Sequence, residues 1–148
     1  MKKYILSVLL CLPALTAACD TCNCKRLLNI TIENKTDAVC YLTQQEITEG
    51  IEYSKSLPLK ILAGETTIPY SIEEYNNINQ SNVTFSFQCG DDKFATIRSK
   101  RTVDRGYFSD TETIAGLAPS LSNMDTTYVS TLSNCKKSKP ATIHWTLQ

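Results

Sequence analysis

Seven of the 148 residues are cysteine, and they carry the most reactive chemistry the chain offers. Cys19, Cys22 and Cys24 crowd into the run CDTCNC, whereas Cys40, Cys89 and Cys135 are spread through the rest. A Cys-x-x-Cys pair performs thiol–disulfide exchange when its first cysteine opens a helix after a strand, where the thiol pKa falls. No strand–helix–strand pattern surrounds Cys19 to Cys24. Three close thiolates would also suit a soft metal such as Zn²⁺ or Cu(I). The single histidine, His144, lies far away in sequence, and in an oxidising compartment disulfide formation competes for the thiols. Disulfides that tie down a chain end are the plainer expectation. His144 itself falls opposite Trp145 in an alternating strand pattern, the place of a surface residue. Asp91, Asp92, Asp104, Asp110 and Asp125 are turn residues before they are acids. GxSxG, HExxH, P-loop and EF-hand spacings are all missing. We therefore expect no catalytic, cofactor-binding or metal-binding residues, and a secreted hydrolase without a recognisable motif is the lesser alternative.

The N-terminus reads as an export signal. Lys2 and Lys3 supply the charged end, Ile5 to Leu12 an apolar run, Pro13 a helix breaker, and Thr16, Ala17 and Ala18 the small residues of a peptidase site. The apolar stretch is too short for a transmembrane helix, which needs about 20 residues. Residues 1–18 are thus expected to be removed, leaving 19–148 as one domain. Cys11 leaves with the signal, and Cys19, Cys22, Cys24, Cys40, Cys89 and Cys135 become disulfide candidates. Residues 15–19 (LTAAC) also resemble the lipobox of bacterial lipoproteins, although Thr16 stands where that pattern prefers leucine. Lipidation of Cys19 would leave an odd number of thiols, whereas cleavage after Ala18 keeps the number even. Parity favours a soluble secreted or periplasmic product, with a lipid-anchored envelope protein as the alternative.

The body of the chain reads as short strands. Leu28 to Glu33 alternates apolar and polar residues, Asn34 to Asp37 is a turn, and Ala38 to Thr43 follows as a hairpin partner. Ile47 to Tyr53 is a weaker strand broken by Gly50, and Leu57 to Leu62 with Thr66 to Tyr70 reads as a second hairpin. Ser71 and Glu74 have capping-box spacing, the one cue for a short helix. Val83, Phe85, Phe87 and Cys89 point one way, and after the turn at Gly90 the return strand carries Ala95 and Ile97 inward. Further strands are expected near 111–117, 126–132 and 141–147. Such a pattern predicts an all-β fold, an antiparallel β-sandwich of immunoglobulin-like architecture with at most one short helix. A Cys40–Cys89 bridge joining the two sheets would suit that architecture, with Cys135 reaching back to the N-terminal cluster. Trp145 follows Cys89 instead of lying between the two cysteines, so the immunoglobulin signature itself is absent.

Charge excludes one class of partner. Without Lys2 and Lys3 the chain has 13 basic residues against 15 acidic ones, a net charge of about −2, so no nucleic acid is expected as a partner. The basic runs at 98–101 (RSKR) and at Lys136, Lys137 and Lys139 read as solvated strand-end charges. Loop aromatics are the better binding candidates: Tyr107 and Phe108 beside Gly106, and Tyr75 near the helix cue. A protein or surface ligand is the expected partner, with a membrane involved only if Cys19 is lipidated. Sequons at Asn29, Asn34, Asn79 and Asn82 read as incidental in an Asn- and Thr-rich chain.

The segments ITIENKTDAVCYL, FQCGDDKFATIRS and SNCKKSKPATIHWTL resemble small exported, cysteine-containing β-sandwich proteins of intracellular gammaproteobacterial pathogens. That resemblance implies export and a sandwich. It implies no activity and no catalytic residues.

Overall fold

Alternation at period two builds the core. Leu28, Ile30 and Ile32 turn inward from β1 (Leu27–Asn34), while Asn29, Thr31 and Glu33 turn outward. The same rule places Val83, Phe85, Phe87 and Cys89 of β6 (Gln80–Cys89), Ala95 and Ile97 of β7 (Lys93–Arg105), and Ile143, Trp145 and Leu147 of β10 (Ala141–Leu147) in the interior. The remaining strands are β2 (Cys40–Glu49), β3 (Ile51–Glu52), β4 (Lys60–Ile61), β5 (Tyr70–Glu73), β8 (Asp110–Leu117) and β9 (Thr126–Thr131). These elements come from a computed structural model that describes residues 26–54, 56–75, 79–107, 110–119 and 122–148.

Two five-stranded sheets result, ordered β3-β5-β1-β10-β9 and β4-β2-β6-β7-β8, and the expected β-sandwich is the fold. Among the described strands pairing is antiparallel except between β1 and β10, which run parallel with Ile30 beside Ile143. Among the described residues the helical element is a single 3-10 turn at Cys135–Lys137.

Several local expectations are corrected. Ser71 opens no helix, because Tyr70–Glu73 pairs antiparallel with β1 as part of a sheet. Its capping-box spacing is overridden by Tyr70 and Ile72, whose side chains the core buries. β1 and β2 form no hairpin, since they lie in different sheets. The turn between them is held by Asn34, whose Nδ2 donates to the carbonyls of Ala38 and Ile61 while its Oδ1 accepts from Thr36. The second expected hairpin is likewise divided: β4 joins β2, whereas Thr66 bridges to Glu33 and Tyr70 belongs to the other sheet. Gly50 does more than weaken a strand. With φ at 98° it is the point where the chain leaves β2 and crosses to β3 in the opposite sheet.

The Cys40–Cys89 disulfide is present, but it does not join the sheets. The two cysteines sit directly opposite one another on neighbouring strands β2 and β6, and so staple one sheet across a single ladder. Trp145 packs elsewhere, donating from Nε1 to Ser99 Oγ at 2.9 Å and stacking obliquely on Tyr128 at 5.1 Å.

Candidate functional site

Four connections meet at the end of the sandwich where β1 begins. Glu73 pairs with Leu27 and with Ile51, Ala141 pairs with Leu28, and Thr131 pairs with Thr142. The second sheet contributes the last residues of β7 and the first of β8, where Arg105 pairs with Asp110. Beneath these connections the interior changes character. Inward positions on β7 run Ala95, Ile97, Ser99, Arg101 and Val103, so the apolar core gives way to a guanidinium.

Arg101 is 1% exposed, and this corrects the expectation that the RSKR run is solvated throughout. Its Nε donates to Glu112 Oε1 at 2.6 Å, and its Nη1 donates to Glu74 Oε1 at 2.5 Å. Arg105 Nη2 stands 3.8 Å from the second oxygen of Glu74. Glu112 Oε2 accepts from the Ser133 amide at 2.7 Å and the Ser133 hydroxyl at 2.8 Å. One buried cluster thus ties together β7, β8, the residue after β5 and the segment after β9, crossing from sheet to sheet. Burial alone would raise the Glu112 pKa, but the hydrogen bonds from Arg101 and Ser133 outweigh it and hold the carboxyl below its ordinary value. A carboxylate held this way is a poor general base, which needs a pKa near the working pH. The cluster is a clamp. Beside it, Ser81 Oγ and Asn79 Oδ1 are buried without a hydrogen-bond partner among the described residues.

The clamp positions two of the aromatic candidates. Tyr75 directly follows Glu74, and Tyr107 lies two residues beyond Arg105, so the Glu74–Arg105 contact brings both tyrosines to the same end. Tyr107 is 97% exposed and Tyr75 49%. Exposed Ile51, the first residue of β3, and exposed Leu132, just after β9, stand at the same end. Phe108 lies outside the described residues. Spacing in sequence reveals nothing of this gathering, because residues 51, 75, 107 and 132 come from four separate segments. The clamp itself had a readable signal: Ile97, Ser99, Arg101 and Val103 share one parity along β7.

His144 occupies the outer face, opposite Trp145. Thr31 Oγ1 lies 2.8 Å from its Nδ1, and Glu33 Oε2 lies 3.4 Å from its Nε2. A hydroxyl and a carboxylate therefore flank the ring, the connectivity of a hydrolytic triad. The setting is unlike one. His144 is half-exposed on a flat sheet, Lys35 Nζ competes for the same Glu33 oxygen at 3.4 Å, and the adjoining amides of β1 and β10 are committed to the β-ladder. An oxyanion needs donors aimed at it, and a paired strand has none to offer.

Of the cysteines, Cys40 and Cys89 pair with each other, and Cys135 is also disulfide-bonded. Cys19, Cys22 and Cys24 lie outside the described residues, as do the signal segment and the lipobox-like run. Among the described residues no group of three or more His, Cys, Asp or Glu side chains could hold a metal ion. No described helix is long and apolar enough to cross a membrane. Two sequon asparagines are inaccessible in the folded chain. Asn34 is fully buried, and Asn82 is buried beneath Arg98, whose Nε donates to its Oδ1 at 2.8 Å.

No family model and no curated protein matches the chain. Solved structures do share its architecture. The lipid binding protein Nakanori superposes with a TM-score of 0.56 at 7% identity, over 83% of this chain and 71% of that one. The RahU protein, solved in complex with a TRIS molecule, superposes with a TM-score of 0.54 at 9% identity, over 84% of this chain and 97% of that one. At such identities the likeness is one of fold.

Proposed function

We propose that this protein is an exported binding module that docks on a lipid surface through the sandwich end bearing Tyr75 and Tyr107. The observation that carries the proposal is the exposure of both tyrosines, Tyr107 at 97%, on connections braced by the Glu74–Arg101–Glu112 clamp. Tyrosine has an apolar body and a polar tip, the combination favoured at a membrane–water interface. Holding such side chains on a rigid base lowers the ordering cost of binding. That the lipid binding protein Nakanori shares this architecture supports the same direction. A host or envelope surface is the setting we assign, in keeping with the resemblance to exported β-sandwich proteins of intracellular pathogens. The Cys40–Cys89 disulfide is compatible with an oxidising, exported location. Secreted or periplasmic release is preferred over anchorage through Cys19. The lipid contact proposed here is therefore made by the tyrosine end, and it departs from the expectation that a membrane enters only through a lipidated Cys19. The mass of the mature, non-reduced protein distinguishes release from anchorage.

Flotation with vesicles of phosphatidylcholine and phosphatidylglycerol tests the docking surface. The wild-type protein should rise with the vesicles. Tyr75→Ala combined with Tyr107→Ala should stay at the bottom, and Leu59→Ala, exposed at the opposite end, should behave as wild type. Failure of the wild type to float, or flotation of the double variant, would overturn the proposal. Tyrosine-dependent capture of a protein partner without flotation would instead assign the same end to a protein surface.

A further inference from the structure

Among the described residues, strand β9 (Thr126–Thr131) is the outermost strand of its sheet and pairs on one side, with β10. Which of its backbone groups face outward follows from the ladder. The Gln148 amide donates to the Asp125 carbonyl at 3.0 Å, which makes that pair a closely bonded one. Bonded and non-bonded pairs alternate in an antiparallel ladder. Asp125, Thr127, Val129 and Thr131 therefore direct their amides and carbonyls at β10. Thr126, Tyr128 and Ser130 direct theirs away from the sheet.

Sheet edges are ordinarily protected by charged side chains, proline, bulges or brevity. β9 reads TTYVST, six residues with no charge, no proline and no glycine. Its register with β10 is unbroken, and every residue after Thr126 is exposed, Val129 at 71%. The other long edge, β8, carries Asp110 and Glu112, whereas the edge strands β3 and β4 are two residues each. Among the described edges, β9 is thus the one that is long, neutral and regular.

We infer that β9 is a self-association edge, pairing antiparallel about a two-fold axis with β9 of a second copy of this chain. The outward-facing groups set the register. Tyr128 lies on the axis opposite its counterpart, and Thr126 faces Ser130 on either side, which makes about six inter-chain main-chain hydrogen bonds. Val129 then meets Thr127 of the other copy on the outer face, a β-branched pair of the kind that stabilises sheets. On the inner face Tyr128 is already held against Trp145, so its exposed side reaches the axis pre-ordered. Charge favours the antiparallel sense. Asp125 begins the strand, and the connection beyond its end carries exposed Lys137. A two-fold axis brings the acidic end of one copy to the basic end of the other, whereas a parallel arrangement would set like ends together. A closed two-fold contact also stops at two copies, as an edge with no charge or proline to protect it must if it is not to propagate.

The test is the concentration-dependent mass of the purified protein, by light scattering and sedimentation. Wild type should approach twice the mass of the chain. Ser130→Pro deletes one outward amide without removing a bond to β10, and it should give a monomer with an unchanged circular dichroism spectrum. Thr126→Pro at the first position of the strand serves the same purpose should the first variant be poorly folded. Asp125→Lys should raise the dissociation constant about five-fold. A monomeric wild type across the accessible concentration range would overturn the inference. So would a folded Ser130→Pro or Thr126→Pro variant that remains dimeric. Flotation of the monomeric variants keeps this edge distinct from the tyrosine end.

Discussion

Arg101 shows how one side chain can be decided by its neighbours. In the run RSKR it has the composition of a solvated strand end, yet it lies inside the sandwich between two carboxylates. A buried guanidinium is tolerable only with such partners, since an unpaired charge in the interior is costly. Replacing it should accordingly hurt through what is left behind. Arg101→Met leaves Glu74 buried without its main counter-charge and should lower unfolding free energy by about 3 kcal/mol or more in urea titration. The acid response of the clamp follows from Glu112. Its carboxyl is held below the ordinary value of 4.5, so the folded state binds its proton less readily than the unfolded chain. The stability this contributes is present above pH 4.5 and is lost as pH falls through the lowered, folded value. Glu112→Gln should flatten the acid limb of a stability–pH profile, and an unchanged acid limb would remove Glu112 from its cause.

At the scale of elements, β8 comes close to β9 at Gly116. A Cβ added to Gly116 on β8 would come within 2.6 Å of the Tyr128 ring and 2.8 Å of the Trp145 ring. Glycine is required there by proximity, since the sheets converge where their outer strands meet. Gly116→Ala should therefore displace Tyr128 from Trp145 at a cost of about 1–3 kcal/mol. Because the chain has one tryptophan, the displacement is readable as a change in its emission. Gly50 acts differently. There the backbone conformation itself selects glycine, and a Cβ would press against the Glu73 carbonyl at 2.7 Å.

The whole molecule is a sandwich in which successive segments keep changing sheets. β1 and β2, and then β2 and β3, lie on opposite layers, so many contacts join residues distant in sequence. The Cys40–Cys89 bridge closes a separation of 49 residues and links β2 to β6. Such a closure acts chiefly on the unfolded chain and is worth about 2–4 kcal/mol. Replacing both cysteines by alanine should lower the urea midpoint correspondingly while leaving the folded circular dichroism intact. Equal midpoints for the variant and the oxidised wild type would show the bridge to be energetically idle.

Much of this architecture was legible from alternation alone. Period two reports which face of a strand is apolar, and that is a local property of the chain. It identified the inward residues of β1, β6, β7 and β10, and with them the all-β class. It could not report which strands become neighbours, because pairing is selected by burial across the whole domain. Two hairpins expected from adjacency fail for that reason, since the segments after Asn34 and Gly64 cross between layers, whereas the one turning at Gly90 pairs β6 with β7 as expected. The Ser71 capping pattern fails likewise, since a local capping preference yields to burying Tyr70 and Ile72. Function follows the same division. Tyr107 is recognisable as a loop aromatic from its polar surroundings beside Gly106, and Tyr75 from the short helical turn expected around it. Their assembly at one end, the charged clamp beneath them and the free edge of β9 exist only once distant segments are folded together.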